Sequence, residues 1–312
     1  MKHFLSYIED SIKKNWEKPA ITNYGAKSYS YSEVAAAILK LHIYLKKCGV
    51  AEGDHVAICA RNSAEWCIAF LAISSYKAVA VPLLADFLPA NIIDLTKASN
   101  SKVLFIDAVT LSAIKRDNVE GKLGECANLV AVVDIVKCSA IEEYEPKVKA
   151  LPLDLDAEFK ALYPAGITPE TFSLPCGELD DLAVISYTSG TSSSPKGVML
   201  TAKSLSANVE IARVLVPMAV SSPDATLSIL PLAHIFGLAF DFLFMASCGC
   251  HINIFTEKPV PARLLKALGE VKPFIFLTVP LLIEKIFRSK VIPVFRKPAM
   301  RLLLAIPGLR SL

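Results

Sequence analysis

The feature that most constrains this chain is a series of short apolar runs separated by stretches of helical pattern. Asp54–Ala60, Val79–Leu83, Lys102–Ile106, Leu129–Ile135 and Leu182–Thr188 each read as a strand. They are continuous rather than alternating, the mark of strands buried on both faces in a largely parallel sheet. Tyr29–Gly49, Ala64–Ala78 and Ala90–Ser99 carry helical periodicity between them. Ser30 and Glu33 form a capping-box pattern at the first of these, and Gly49 sits where it would stop. Strand–helix alternation of this kind predicts an α/β fold of layered sheets with helices. Upstream, Phe4, Leu5, Ile8 and Ile12 recur at helical spacing and predict a short amphipathic helix packed on the body.

Glu142–Asp180 breaks the pattern with Pro146, Pro152, Pro164, Pro169 and Pro175 among many acids, and reads as a surface excursion. Alternation then resumes: strands at Val198–Thr201, Ala225–Leu232, His251–Phe255 and Phe274–Val279, and a helix at Ala202–Leu215. The expected organisation is a first α/β half over 1–141, the excursion over 142–180 and a second half over 181–312.

Bulk properties narrow the function classes. Hydrophobic residues make up 53% of the chain, enough to exclude disorder as its main state. A net charge of +3 with no Lys/Arg-rich block argues against nucleic acid as a partner. The cysteines lie mostly in apolar runs, as reduced buried thiols of a cytoplasmic protein do. Cys248-Gly249-Cys250-His251 has no second Cys/His pair at zinc spacing, so core packing is the expectation there. Met1–Lys18 is charged throughout, unlike a signal peptide. The apolar run Leu227–Cys250 is interrupted by Pro231, His234, Gly237 and Asp241, which argues for strand, loop and buried helix rather than a membrane span.

The chemistry concentrates in Tyr187-Thr188-Ser189-Gly190-Thr191-Ser192-Ser193-Ser194-Pro195-Lys196-Gly197, between two apolar strands. A loop of small hydroxyl residues with one Lys can turn N–H groups, hydroxyls and an ammonium toward a polyphosphate. It is not a Walker A loop. Pro195 stands at the second Gly position, Gly197 replaces the magnesium-binding Ser/Thr, and a strand rather than a helix follows.

This segment resembles the phosphate loop of the adenylate-forming (AMP-binding) superfamily, [YF]TSGTTGxPKGV, at Tyr187–Thr191 and Pro195–Val198. Ser192 stands where the family has Thr, and Ser193 where it has Gly. Other stretches agree in order. Gly49-Val50, Gly53–Ile58, Asn62 and Glu65-Trp66 resemble "GV..GD.VAI...N..EW". Ala78–Leu83 resembles "GAV.VPL", and Leu230–Gly237 resembles "LPLxHxxG". Val279-Pro280 with Glu284-Lys285-Ile286 resembles the "VPRxxEKI" stretch of long-chain fatty-acid–CoA ligases.

The resemblance implies an incomplete large N-terminal domain of an adenylate-forming enzyme. The implied reaction is ATP-dependent activation of a carboxylic acid, a long-chain fatty acid, through an acyl-adenylate to acyl-CoA. Thr188, Ser189, Gly190, Thr191, Ser192 and Lys196 would hold the ATP phosphates. His234 would sit near the acyl carboxylate and the α-phosphate, and Phe236, Phe240 and Phe244 would wall an acyl channel. ATP, Mg2+ and CoA are the implied cofactors and co-substrates. The family's Glu for Mg2+, its ribose-binding Asp and its C-terminal adenylation Lys fall beyond Leu312, so a truncated chain, inactive alone, is expected. The basic, apolar stretch Arg288–Leu312 would continue the domain or touch the inner face of a membrane. Two alternatives stay open: an adenylation enzyme for another acid with a carrier-protein acceptor, and a non-catalytic nucleotide-binding module.

Overall fold

The computed structural model describes residues 1–117, 119–141, 154–188, 195–221, 223–288, 292–295 and 300. The strands are β1 (Pro19–Asn23), β2 (Ser28–Ser30), β3 (His55–Cys59), β4 (Val79–Pro82), β5 (Val103–Ile106), β6 (Ala131–Asp134), β7 (Ser139–Ala140), β8 (Leu182–Thr188), β9 (Lys196–Thr201), β10 (Ala225–Ser228) and β11 (His251–Ile254). They form two sheets. One has seven strands in the order β7-β6-β5-β3-β4-β8-β9, and the other has four in the order β10-β11-β1-β2. In the larger sheet β6, β5, β3, β4 and β8 run parallel, while β7 and β9 close the edges antiparallel. In the smaller, β10, β11 and β1 are parallel and β2 is antiparallel. Each sheet takes strands from both sides of residues 142–180.

The helices that make the layers are α1 (Phe4–Lys14), α2 (Tyr31–Lys47), α3 (Ala64–Ser75), α4 (Pro89–Ala98), α5 (Ala108–Arg116), α6 (Leu155–Leu162), α7 (Ala202–Leu215), α8 (Pro217–Ser221), a π-helical segment Gly237–Leu243 continuing into α9 (Phe244–Cys248), α10 (Pro261–Val271), α11 (Pro280–Ile286) and α12 (Ile292–Phe295). Burial follows the strand period. Val56 and Ile58 face a central core shared with α1, α2, α3, α7 and α9. Ala57 and Cys59 face a second core with Ile92 and Ile93 of α4 and Ile114 of α5. The continuous apolar runs are therefore explained: both faces of β3 are covered. The smaller sheet gives Ile21 and Ile252 to the central core, while Leu227 faces a third cluster with Leu264 of α10 and Leu282 of α11. The result is a five-layered α/β arrangement. α3 lies in the middle layer, which is why it is apolar on all sides, with Trp66 and Phe70 fully buried.

Local signals act as expected. Ser30 caps α2: its Oγ accepts from Glu33 N at 3.1 Å while the Glu33 carboxylate accepts from Ser30 N at 2.8 Å. Phe4, Leu5, Ile8 and Ile12 of α1 are each about 1% exposed, so this helix packs on the body. Three expectations are corrected. Phe274–Val279 is not a strand: it joins β10 through a single bridge, Thr226 to Ile275, and forms no ladder. The run Ala225–Leu232 is a strand only to Ser228. The excursion is not wholly on the surface. Phe172 and Leu174 are buried, the Phe172 and Trp16 ring centroids lie 6.0 Å apart, and Leu174 N donates to Glu9 at 2.8 Å. Among the described residues no helix is long and apolar enough to cross a membrane.

Candidate active site

β8 and β9 form an antiparallel hairpin in unbroken register from Ile185–Met199 to Thr188–Lys196. Its root is packed. A Cβ on Gly197 would stand 3.0 Å from Ile185 Cγ2 and 3.1 Å from the Tyr187 ring, so the missing side chain lets the ring lie over the partner strand. Tyr187 is half-buried there, and burial raises its phenol pKa. Thr188 and Lys196 lie exposed on the terminal rung. Ser189, Gly190, Thr191 and Ser192 lie outside the described residues, as does Ser193. The rung nonetheless fixes both ends of the loop about 5 Å apart. β8 pairs parallel with β4, so this rung lies at the carboxyl ends of the parallel strands. Ligands of open α/β sheets bind at that end.

The His234 segment is built differently. Residues after β10 leave the sheet because side chains take their backbone groups. Asp241, in the π-helical segment, accepts from Ser228 Oγ at 2.8 Å, Ile229 N at 3.1 Å and Leu230 N at 3.2 Å. Asn62, after β3, donates to Leu230 O at 2.6 Å and accepts from Leu232 N at 2.9 Å. Gly237 seals the arrangement: a Cβ there would meet Pro231 O at 2.4 Å. His234 N donates to Pro231 O at 3.0 Å and His234 O accepts from Leu238 N at 2.9 Å, which fixes the backbone on both sides of the residue. The imidazole is exposed, with Nδ1 3.4 Å from Phe236 N. π-Helical turns are rare and recur at functional sites. Here the turn carries the only carboxylate within Leu227–Cys250 into the interior. Burial outweighs its three hydrogen bonds and pushes the Asp241 carboxyl up to about 6.

The aromatic residues divide. Phe236 is exposed and packs at a tilt against half-buried Phe240, with ring centroids 5.0 Å apart. Phe244 is 3% exposed and belongs to the central core. Beside this segment a cleft of about 140 Å³ opens between the carboxyl ends of both sheets. It is lined by Arg61, Asn62 and Asp86 from the larger sheet and by Pro231, Ala233 and Lys258 from the smaller. Lys258 and Asp86 pair across it at 3.1 Å. Thr188, Lys196 and His234 are not among its lining residues. No group of three or more His, Cys, Asp or Glu among the described residues could hold a metal ion, so these residues alone supply no cluster for Mg2+.

Sequence reasoning missed Asn62 and Asp241 as structural supports of the site. Asn62 falls inside a matched motif that gives it no role. Asp241 carries a usable signal, since a lone acid in a long apolar run must be paired when buried.

The chain resembles known proteins over most of its length. Residues 8–308 match the family described as AMP-binding enzyme. The long-chain-fatty-acid–CoA ligase 5 of Mus musculus is 33% identical over 256 residues, covering 78% of this chain and 36% of that protein. The 4-coumarate–CoA ligase 1 of Solanum tuberosum is 26% identical over 295 residues, covering 92% of this chain and 49% of that protein. The solved anthranilate CoA ligase AuaEII, in complex with anthranoyl-AMP, shares the fold with a TM-score of 0.69 at 20% identity, over 88% of this chain and 49% of that one. The chain thus spans half or less of the length of these proteins. By its match over nearly its whole length, the chain belongs to the AMP-binding enzyme family.

Proposed function

We propose that this chain supplies the phosphate-binding and acid-facing parts of an ATP-dependent carboxylic-acid activation, with a long-chain fatty acid as substrate and CoA as acceptor. The observation that carries the reading is the hairpin: a hydroxyl-rich loop tied at a Thr188–Lys196 rung, at the carboxyl end of a parallel sheet. In this reading Thr188, Ser189, Gly190, Thr191 and Ser192 present hydroxyls and N–H groups to the β- and γ-phosphates, and the Lys196 ammonium offsets their charge. The acid's carboxylate oxygen attacks the α-phosphorus, the bond to the bridging oxygen breaks, and pyrophosphate leaves. The CoA thiol then attacks the acyl carbon and AMP leaves. Substrates supply both nucleophiles, so the protein's part is placement and charge stabilisation. Mg2+ would supply further neutralisation of the phosphates, with ligands from outside the described residues.

His234 faces the acyl carboxylate and the α-phosphate in this reading. Phe236 and Phe240 offer an apolar wall beside it; Phe244 would support that wall from the core rather than line it. The similarity to a long-chain ligase at 33% identity favours a fatty acid over the aryl acids named for the other two proteins. Calorimetry with non-hydrolysable palmitoyl- and 4-coumaroyl-adenylate analogues tests this on the chain as it stands. Binding of the palmitoyl analogue at least about tenfold tighter, weakened by His234→Ala, supports the reading. Equal or reversed preference overturns the fatty-acid assignment.

A further inference from the structure

β3 and β10 lie in different sheets and far apart in the chain, yet one carboxamide joins the segments that follow them where the chemistry is expected. Asn62 follows β3 of the larger sheet. Its Nδ2 donates to Leu230 O at 2.6 Å and its Oδ1 accepts from Leu232 N at 2.9 Å, 168 and 170 residues away. Donor and acceptor thus engage the carbonyl and the N–H of two residues that flank Pro231. Pro231 between them has no N–H to compete. From the other side Asp241 holds Ile229 N and Leu230 N. The Pro231 carbonyl, held in place by this grip, is the one that receives His234 N.

We propose that Asn62 is a positioning residue that sets His234 against the reacting carboxylate, acting through the Leu230–Leu232 backbone. The inference rests on the acid-facing role given to His234 above. Asn62 itself lines the cleft between the sheets, so removing it frees the segment toward open space rather than toward compensating packing. Among the described residues the β8–β9 hairpin makes no hydrogen bond to Asn62, and it keeps its own ladder. Loss of the two hydrogen bonds should therefore spare phosphate binding and spoil placement of the acyl-adenylate. A misplacement of about 1 Å is enough to matter greatly to chemistry at such a site.

The test is a binding cycle on the full chain with pyrophosphate and the non-hydrolysable palmitoyl-adenylate analogue as probes. Asn62→Ala should weaken the analogue at least about tenfold and leave pyrophosphate within about twofold. In a His234→Ala background Asn62→Ala should cause little further loss, because coupled residues are non-additive. Additive losses, or parallel loss of both probes, would overturn the proposal. Asn62→Asp keeps the acceptor for Leu232 N–H but loses the donor, and should reproduce the selective loss if the alanine variant folds poorly; retained pyrophosphate binding certifies each fold. The imidazole NMR signals of His234, assigned with His234→Gln, give an answer independent of catalysis. They should shift in Asn62→Ala while those of His3 and His55 stay put, and an unmoved His234 overturns the proposal. If His234→Ala leaves analogue binding intact while Asn62→Ala still shifts the ring, the acid-facing role has failed and the positioning geometry has not.

Discussion

Gly237 and Pro231 touch so closely that a methyl group on Gly237 would stand 2.4 Å from the Pro231 carbonyl oxygen. No side-chain adjustment relieves this, because the obstacle is backbone. Gly237→Ala should therefore destabilise the fold by about 1–3 kcal/mol or displace the His234 segment. Gly269, inside α10, is the control, since nothing lies within 4 Å of the position a methyl group would take there. Gly269→Ala should be neutral or stabilise by up to about 1 kcal/mol, because alanine restricts the unfolded chain and favours helix. Urea denaturation of both variants checks the contrast; equal effects would refute it.

Asp241 makes stability depend on pH in an unusual sense. Its folded carboxyl is pushed by burial to about 6, above the ordinary 3.8. The folded state therefore binds the proton more tightly than the unfolded one. Its contribution is fully present below about pH 4 and fades as pH rises through 6. Relative to Asp241→Asn, the natural chain should gain on the order of 1 kcal/mol on going from pH 7.5 to pH 5. Denaturation midpoints of the two chains at both pH values measure it, and parallel midpoints would contradict a carboxyl whose proton is held by burial.

His42 acts in the opposite direction. Its ring is held by Ala72 O at 3.1 Å and Ser75 Oγ at 2.9 Å, and burial lowers its pKa to about 4. The unfolded ring protonates near 6.5, so this stability is present above that pH and is lost as pH falls toward 4. The natural chain should lose about 2 kcal/mol relative to His42→Gln between pH 7.5 and pH 5. NMR titration of the ring gives a second reading: no protonation above about pH 5 is expected.

Some of this was legible in sequence and some was not, for identifiable reasons. Leu182–Thr188 and Ala202–Leu215 are found at the residues where period and caps placed them, since local pattern and tertiary role agree. Ala225–Leu232 reads as one strand because its side chains suit one throughout. The strand stops at Ser228 because Asp241 and Asn62, both distant in sequence, claim the next backbone groups. Phe274–Val279 has strand composition but meets β10 at one bridge between Pro273 and Pro280. β1 and β2 escaped notice because Pro19–Asn23 is short and mixed, and its partners lie across the chain at His251–Ile254. For the site, the hairpin and its Lys were visible as a motif. The clamp on His234 was not, since an asparagine bonded to distant backbone leaves no periodic trace.

The most direct test of the central claim is calorimetry of ATP and pyrophosphate binding to the chain and to Lys196→Ala. Lys196 closes the ladder opposite Thr188, so it stands at the root of the loop. Micromolar-to-millimolar binding by the natural chain, lost or weakened at least about tenfold in the variant, is the expected result. Equal binding by both folded chains, or none by either, would contradict a phosphate-holding role for this hairpin.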